Sequence, residues 1–180
     1  AEWPAMDTWY FIVGLGNPGD RYSATRHNAG FMVLERLADR WGGSWSDEKK
    51  FNARIARVDV GGRRVLLCQP QTYMNLSGEA VGALAGFYKI ALDQLLVIVD
   101  DVNLPFGELR LRPGGGNGGH HGLESIELHM AGNGFARQRI GIGRPTHSAG
   151  ELTGHVLAWY ALVSLLYVCA AGWLLATTGP

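Results

Sequence analysis

Residues 95–99 read LLVIV, an unbroken run of large apolar side chains. A strand with one face in solvent alternates apolar and polar residues, whereas a strand covered on both faces is apolar throughout. The run therefore predicts a central strand of a sheet that carries helices on both sides. Two carboxylates, Asp100 and Asp101, follow directly where this strand is expected to end.

The flanking segments alternate between strand and helix patterns. Apolar runs bounded by turn residues predict strands at 9–13, 52–60, 63–69, 108–112 and 136–142, with Gly61 and Gly62 as a tight hairpin turn. Apolar residues at helical spacing predict helices at 77–88 and 122–130, and one that begins after Asn28 as N-cap and stops at Gly42. This alternation predicts an α/β fold: a single-domain sandwich with a mixed, mostly parallel twisted sheet flanked by helices.

Length and composition narrow the class of protein. A chain of 180 residues and 19.5 kDa fits one domain with a real core. Sixteen basic and sixteen acidic residues cancel, so overall charge predicts no polyanionic partner, although a local basic face could still bind one. Cys68 and Cys169 lie far apart without CxxC spacing, which favours a reduced cytoplasmic protein with both thiols in the core.

The two ends of the chain differ from the middle. Residues 1–8 lack the features of a secretion signal and are expected to form a flexible extension ahead of a folded domain at 9–150. Residues 151–180 contain a single charge at Glu151, and the apolar run 156–176 is long enough to span a bilayer. We expect an apolar helix there that packs on the domain or on a partner; a membrane anchor and a diverged C-terminus are the alternatives.

Polar stretches follow three of the predicted strands. They are GLGNPG at 14–19, QTYMNLSG at 71–78 and DDVNLPFG at 100–107. Ligands of such sheets bind outside the carboxyl ends of the strands. The sequence therefore predicts one site assembled from three distant segments.

Several familiar chemistries do not fit these stretches. The glycines of 14–19 match GxGxxG, but Pro18 and ten further residues precede the helix, whereas a dinucleotide loop opens directly into it. The glycine-rich segment 114–122 lacks the Lys-Ser/Thr ending of a P-loop, and no GxSxG elbow is present. The adjacent His120 and His121 cannot easily face one ion. We expect no metal and no cofactor.

His27 remains as a candidate base. It lies just before a predicted helix, outside the apolar face that the core would explain. A histidine needs a carboxylate on its other ring nitrogen to fix its tautomer, after which an oriented water completes a general-base hydrolase. Either Asp100 or Asp101 could serve, and a solvated turn is the competing interpretation of this acidic pair.

Four segments together resemble the bacterial-type peptidyl-tRNA hydrolase family. They are VGLGNPGDRYSATRHNAG (13–30), QPQTYMNLSG (69–78), VDDVNLPFGELRLRPGGGNGGHHGL (99–123) and FARQRIGIGRP (135–145), in the order and spacing of that family. The family cleaves the ester between a nascent peptide and the 3′ ribose of tRNA, which recycles tRNA. The resemblance implies the same activity here.

The resemblance also implies roles for individual residues. His27 corresponds to the base that activates water, and Asp100 rather than Asp101 to its supporting carboxylate. Asn17 corresponds to the residue that reads the peptide side and helps to exclude unblocked aminoacyl-tRNA. Contacts with the substrate or the tRNA are expected at Tyr22, Tyr73, Asn75, His121, Arg110, Arg112 and Arg139.

A basic cluster agrees with a tRNA partner. Arg112 and Arg139 resemble the cationic pair that grips the 5′ phosphate of tRNA. From the residues alone, five arginines gather on neighbouring predicted elements with few acidic residues between them: Arg110, Arg112, Arg137, Arg139 and Arg144. Phosphate contacts give affinity without reading sequence. The resemblance implies peptidyl-tRNA as the partner, bound through its acceptor stem and 3′ end. We expect no DNA partner, a cytoplasmic location and a monomer.

Two departures from the family pattern affect the interpretation. His121 stands where the family's GGHNG stretch has Asn, and the apolar run 156–176 stands where the family has a charged amphipathic helix. The substitution at His121 could alter substrate binding.

A non-catalytic RNA-binding relative is the main alternative function. The intact set of His27, Asp100, Asn17 and Asn75 argues against it. A tail-anchored interaction protein rests on residues 156–176 alone.

Overall fold

A seven-stranded sheet forms the centre of the molecule. The computed structural model describes residues 8–23 and 25–143 of the chain. The strands are β1 (Trp9–Gly14), β2 (Trp45–Glu48), β3 (Ala53–Val60), β4 (Arg63–Pro70), β5 (Leu95–Asp101), β6 (Leu109–Arg112) and β7 (Ala136–Gly141). Their order across the sheet is β2-β3-β4-β1-β5-β7-β6.

The sheet is mixed, as predicted, but it is not mostly parallel. Three neighbouring pairs are parallel, namely β1 with β4, β1 with β5, and β5 with β7. The other three pairs, at the two sides of the sheet, are antiparallel. Part of the difference comes from β2, which sequence reasoning missed because its residues WSDE include a single apolar side chain.

Helices cover both faces of the sheet. They are α1 (Asp20–Ser23), α2 (Ala29–Trp41), α3 (Ser77–Tyr88) and α4 (His121–His129), and short 3₁₀ turns at Arg26–Asn28 and Met74–Leu76 lead into α2 and α3. The three longer helices lie within one residue of the predicted bounds. Gly42 ends α2 in the left-handed conformation, at φ 68°, which glycine adopts without strain.

The prediction made from LLVIV is confirmed by the core. All seven residues of β5 are buried. Leu96 and Ile98 pack in the apolar layer under α2, whereas Leu95, Val97 and Val99 pack in the layer under α3 and α4. Cys68 lies in the second layer as a free thiol, and burial raises its pKa above the usual value.

Two glycines let α2 approach the sheet at close range. A Cβ on Gly14 would lie 2.3 Å from the carbonyl oxygen of Gly30, and one on Gly30 would lie 2.4 Å from the amide nitrogen of Leu15. Either contact is shorter than packed atoms tolerate. The absence of side chains therefore brings the start of α2, with the turn that precedes it, directly against the ends of β1 and β5.

Some predictions concern residues outside this description. Residues 1–7 of the expected extension and the expected helix at 156–176 lie outside the described residues, as does Cys169. Among residues 8–23 and 25–143, the helices are too short or too polar to cross a membrane.

Candidate active site

The three polar stretches meet at one edge of the sheet, as predicted. β1, β4 and β5 run parallel to one another, so their carboxyl ends lie on the same side. Asn17 follows β1, Asn75 follows β4, and Asp100 is the sixth residue of β5. The turn that carries His27 packs onto this edge because α2 approaches it closely.

His27 and Asp100 form the centre of this edge. Nδ1 of His27 lies 2.8 Å from Oδ2 of Asp100. The imidazole is 59% exposed, whereas the carboxylate is only 8% exposed. An ionised carboxylate accepts from a protonated Nδ1, which leaves the lone pair of Nε2 free to take a proton. The geometry is therefore that of a supported general base facing solvent.

Asp100 is held in its ionised form. Burial raises its pKa, but hydrogen bonds from His120 and His27, with the charge interactions of both rings, outweigh burial. The net effect is a pKa below the usual value for an aspartate. Asp100 therefore keeps its negative charge at every pH at which a histidine titrates.

His120 is a member of the site that sequence reasoning did not select. Its Nδ1 accepts the backbone N–H groups of Gly122 and Leu123, at 3.2 and 3.3 Å, as the N-cap of α4. The proton must then sit on Nε2, which lies 3.5 Å from Oδ1 of Asp100, the outer limit of a hydrogen bond. The sequence feature that could have identified His120 is its position at a helix start, where an imidazole nitrogen can accept backbone N–H groups as an N-cap.

Asp101 is turned to the other side of the sheet. Its Oδ2 lies 3.1 Å from Nε of Arg139, and its Oδ1 accepts the backbone N–H of Asn103 at 2.9 Å. Alternate residues of a strand point to opposite faces, which explains why two adjacent aspartates have different partners. The two alternatives left by composition are thus separated by geometry: Asp100, not Asp101, contacts His27.

Asn17 is held by an amide from the histidine turn. Its backbone N–H donates to Oδ1 of Asn28 at 2.8 Å, and its carbonyl accepts from Nδ2 of Asn28 at 2.9 Å. Asn28 occupies the N-cap position of α2, as predicted, but its side chain does not cap the helix. Its carboxamide is used on the Asn17 loop instead.

Asn75 and Tyr73 lie beside the start of α4. A Cβ on Gly122 would come within 2.7 Å of both Sδ of Met74 and Cδ1 of Leu15, so these two side chains pack onto the α4 N-terminus. This contact draws the Met74–Leu76 turn, which contains Asn75, toward the ends of β1 and α4. Asn75 and Tyr73 are both exposed, the tyrosine by 72%.

Tyr22 and His121 lie on the outer parts of the site. Tyr22 belongs to α1, is half-buried, and its carbonyl accepts both the backbone N–H and the hydroxyl of Thr25, two residues before His27. His121 opens α4 with a side chain that is 76% exposed, and its Nδ1 lies 3.4 Å from Oε2 of Glu124. Asp100 is contacted by His120 and not by His121.

Four of the predicted arginines lie in the neighbouring strands β6 and β7. Arg110 lies opposite Arg139 in the antiparallel register, and Arg112 lies opposite Arg137. Cross-strand partners share a face, so all four belong to one side of the sheet. We call Arg110, Arg112 and Arg139 the arginine face. Arg112 is exposed and, in the described part of the chain, has neither a hydrogen bond nor an ion pair.

Arg137 does not share this role. It is 1% exposed, and its guanidinium binds Oε1 of Glu127 at 3.1 Å and the carbonyl oxygens of Gly116 and Asn133. Its charge is neutralised inside the protein, so it fixes the glycine-rich loop to α4. Arg144, the fifth arginine of the predicted cluster, lies outside the described residues.

The described residues contain no group of three His, Cys, Asp or Glu side chains arranged to hold a metal ion. A cavity of about 240 Å³ lies beside the Asn17 loop, lined by residues that include Asn17, Asn28, Glu35, Arg54 and Gln69.

An exposed imidazole with a buried carboxylate behind it, at the carboxyl edge of a mixed sheet, is the arrangement of a general-base hydrolase. Comparison with known proteins gives the particular family. The family model described as peptidyl-tRNA hydrolase matches residues 11–162. The chain belongs to the peptidyl-tRNA hydrolase family.

Individual relatives agree with this assignment. The peptidyl-tRNA hydrolase of Haemophilus influenzae is 54% identical over 147 residues, which are 81% of this chain and 75% of that protein. The peptidyl-tRNA hydrolase of a Geobacter species is 49% identical over 150 residues, 83% of this chain and 78% of that protein.

Solved structures show the same fold. A crystal structure of peptidyl-tRNA hydrolase from Acinetobacter baumannii superposes with a TM-score of 0.78 at 37% identity, covering 98% of this chain and 95% of that one. A point mutant of peptidyl-tRNA hydrolase from the same organism gives a TM-score of 0.76 at 42% identity, over 90% and 84% of the two chains.

Proposed function

We propose that this protein hydrolyses the ester bond between peptide and tRNA in peptidyl-tRNA and so returns tRNA to translation. The observation that carries the proposal is the 2.8 Å contact between His27 and Asp100 in a member of this family. The substrate is inferred from membership of the family, and the general-base mechanism is inferred from the contact between His27 and Asp100. A protein that only bound RNA would have no need of a supported base.

His27 acts as the general base. Its Nε2 removes a proton from water, the hydroxide oxygen attacks the ester carbonyl carbon, and the bond from that carbon to the 3′ oxygen of the ribose breaks. The departing oxygen takes the proton from the imidazolium, so the products are a free peptide and a tRNA with its 3′ hydroxyl restored. Asp100 stabilises the imidazolium between these two transfers.

Amide and aromatic side chains position the substrate. Asn17 reads the peptide side of the ester, which separates blocked from unblocked aminoacyl groups. Asn75 orients the water or the substrate carbonyl, since its exposed amide can both donate and accept. Tyr22, Tyr73 and His121 line the approach to the ester.

The arginine face binds the tRNA. Arg112 and Arg139 contact the 5′ phosphate and Arg110 adds a neighbouring charge. Phosphate contacts do not read the sequence, as an enzyme acting on all tRNAs requires. A substrate that arises in translation supports a cytoplasmic location, and a site assembled from one chain supports a monomer.

The direct test is peptide release from N-acetyl-aminoacyl-tRNA by the purified protein, with unblocked aminoacyl-tRNA as the control substrate. We expect release from the blocked substrate and little from the unblocked one. Binding of tRNA without release would contradict the proposal and would favour a non-catalytic RNA-binding protein.

A further inference from the structure

The carboxamide of Asn28 makes a two-bond contact with the peptide backbone of Asn17. It accepts from the Asn17 N–H at 2.8 Å and donates to the Asn17 carbonyl at 2.9 Å. The side chain thus pairs with the loop as a neighbouring strand would. Asn28 is 2% exposed, so water cannot replace either bond at little cost.

Within residues 8–23 and 25–143, Asn28 is the residue of another element that hydrogen-bonds to this loop. In the described part of the chain, the two bonds with Asn28 are the hydrogen bonds that join residues 16–19 to another segment. One further hydrogen bond of these residues is local and runs from the Tyr22 N–H to the Gly19 carbonyl. The cavity of about 240 Å³ lies against the same loop. Packing on that side therefore does little to fix Asn17.

The same turn carries the base. Asn28 follows His27 directly, and both belong to the 3₁₀ turn Arg26–Asn28. Asp100 fixes one residue of this turn, and the backbone of Asn17 fixes the next. Space for the contact depends on Gly16, because a Cβ there would lie 3.0 Å from Oδ1 of Asn28 and 2.8 Å from the ring of Phe31.

We propose that Asn28 is a positioning residue for substrate specificity: it sets the placement of Asn17 relative to His27, and thereby the preference for blocked over unblocked aminoacyl-tRNA. The inference rests on the proposed function. It predicts that loss of the contact changes the ratio of two substrates, whereas a residue needed only for folding would lower both rates together.

Two variants test this. Asn28→Asp has the same shape but places a carboxylate oxygen against the Asn17 carbonyl, so it replaces an attraction by a repulsion. Asn28→Ser removes both bonds without adding a charge. Asn133→Asp, at an exposed amide three residues before the start of β7 and so at the opposite end of that strand from the site, is the control for the added charge. We expect the ratio of kcat/KM for N-acetyl-aminoacyl-tRNA to that for aminoacyl-tRNA to fall roughly tenfold in both Asn28 variants.

Amide hydrogen exchange shows whether the loop has been released. The Asn17 N–H should lose protection in Asn28→Ser, which removes its acceptor, whereas in Asn28→Asp it can still donate to Oδ1. The Leu15 N–H, which bonds to the Ile98 carbonyl at 2.9 Å, should keep its protection in both variants. In Asn28→Ser, an unchanged ratio despite lost protection at Asn17 would overturn the inference, and so would an Asn17 N–H that stays protected. In Asn28→Asp, an unchanged ratio would overturn it. Failure of the wild-type protein to release peptide would instead reject the proposed function. If Asn28→Ser does not fold, the isosteric Asn28→Asp decides the outcome.

Discussion

The histidine edge and Arg112 of the arginine face differ in how firmly their side chains are held. His27 is bonded to Asp100, Asp100 is buried between two imidazoles, and Asn17 is paired with a buried amide. Arg112, by contrast, is exposed without a partner among the described residues, whereas Arg139 and Arg110 are paired with Asp101 and Glu108. General-base chemistry requires a base held in a fixed position relative to the substrate, whereas an unrestrained cationic side chain can still bind a phosphate. The comparison predicts that substitutions at the edge alter turnover and that those on the face alter binding.

The largest effect is expected at the edge from His27→Ala. Removing the base should lower kcat by at least about 10²-fold, the usual lower range for general acid–base catalysis. The affinity for tRNA should stay close to that of the wild type, because the arginine face is intact. Steady-state release of N-acetyl-aminoacyl groups at saturating substrate measures kcat, and equilibrium binding of deacylated tRNA measures the affinity. Near wild-type turnover would remove His27 from the chemistry.

Asp100→Asn should have the next largest effect. The neutral amide can still contact the ring but cannot stabilise the imidazolium, so kcat should fall by at least about tenfold. Asp101→Asn is the matched control, since it lies one residue further along the same strand and is equally buried. Asp101→Asn removes the negative charge that pairs with Arg139, so it should change KM more than kcat. If Asp101 proved more damaging to kcat, the assignment of the supporting carboxylate would be wrong.

Arg112→Ala should affect binding alone. Loss of one charge-assisted phosphate contact should raise KM for peptidyl-tRNA roughly tenfold and leave cleavage of a short ester mimic unchanged. The slope of log K against log salt should become shallower by about 1 or slightly less. Arg139→Ala should raise KM and flatten the salt slope in the same way. It also removes the ion pair between Arg139 and Asp101. Unchanged slopes in both variants would show that tRNA binds elsewhere.

The smallest effect is expected from His121→Asn, which restores the residue typical of the family. The side chain is largely exposed and contacts Glu124 rather than Asp100. We expect KM to change by no more than about threefold, as for other surface substitutions, and kcat to stay the same. A tenfold change in kcat would place His121 in the chemistry and contradict the separation of edge and face.

The sequence was informative where one residue type is strongly required. LLVIV predicted a strand buried on both faces, and the polar stretches after β1, β4 and β5 predicted the edge at which the site lies. Periodicity could not reveal β2, because WSDE lacks an apolar alternation and its pairing with β3 is made by the backbone.

Tertiary partners were beyond the reach of pattern reasoning. The sequence predicts Asn28 as the N-cap, which is confirmed, yet its amide bonds to a loop 11 residues away instead of to its own helix. The sequence alone groups Arg137 with the other arginines of β6 and β7, although α4 and the glycine-rich loop bury it. His120 was overlooked because its contact with Asp100 exists only when the α4 N-terminus meets the end of β5.

The central claim, that His27 is a base supported by Asp100, is tested most directly by the pH dependence of kcat/KM in the wild type and in Asp100→Asn. Hydrogen bonds from His120 and His27 outweigh burial and hold the pKa of Asp100 below its usual value, so the carboxylate is charged throughout the histidine range. The wild-type profile should therefore rise with pH through one ionisation and then stay level. Since a negative charge favours the imidazolium, Asp100→Asn should shift the acid limb to lower pH and lower the plateau. An acid limb that stays in place, or that moves to higher pH, would contradict the account.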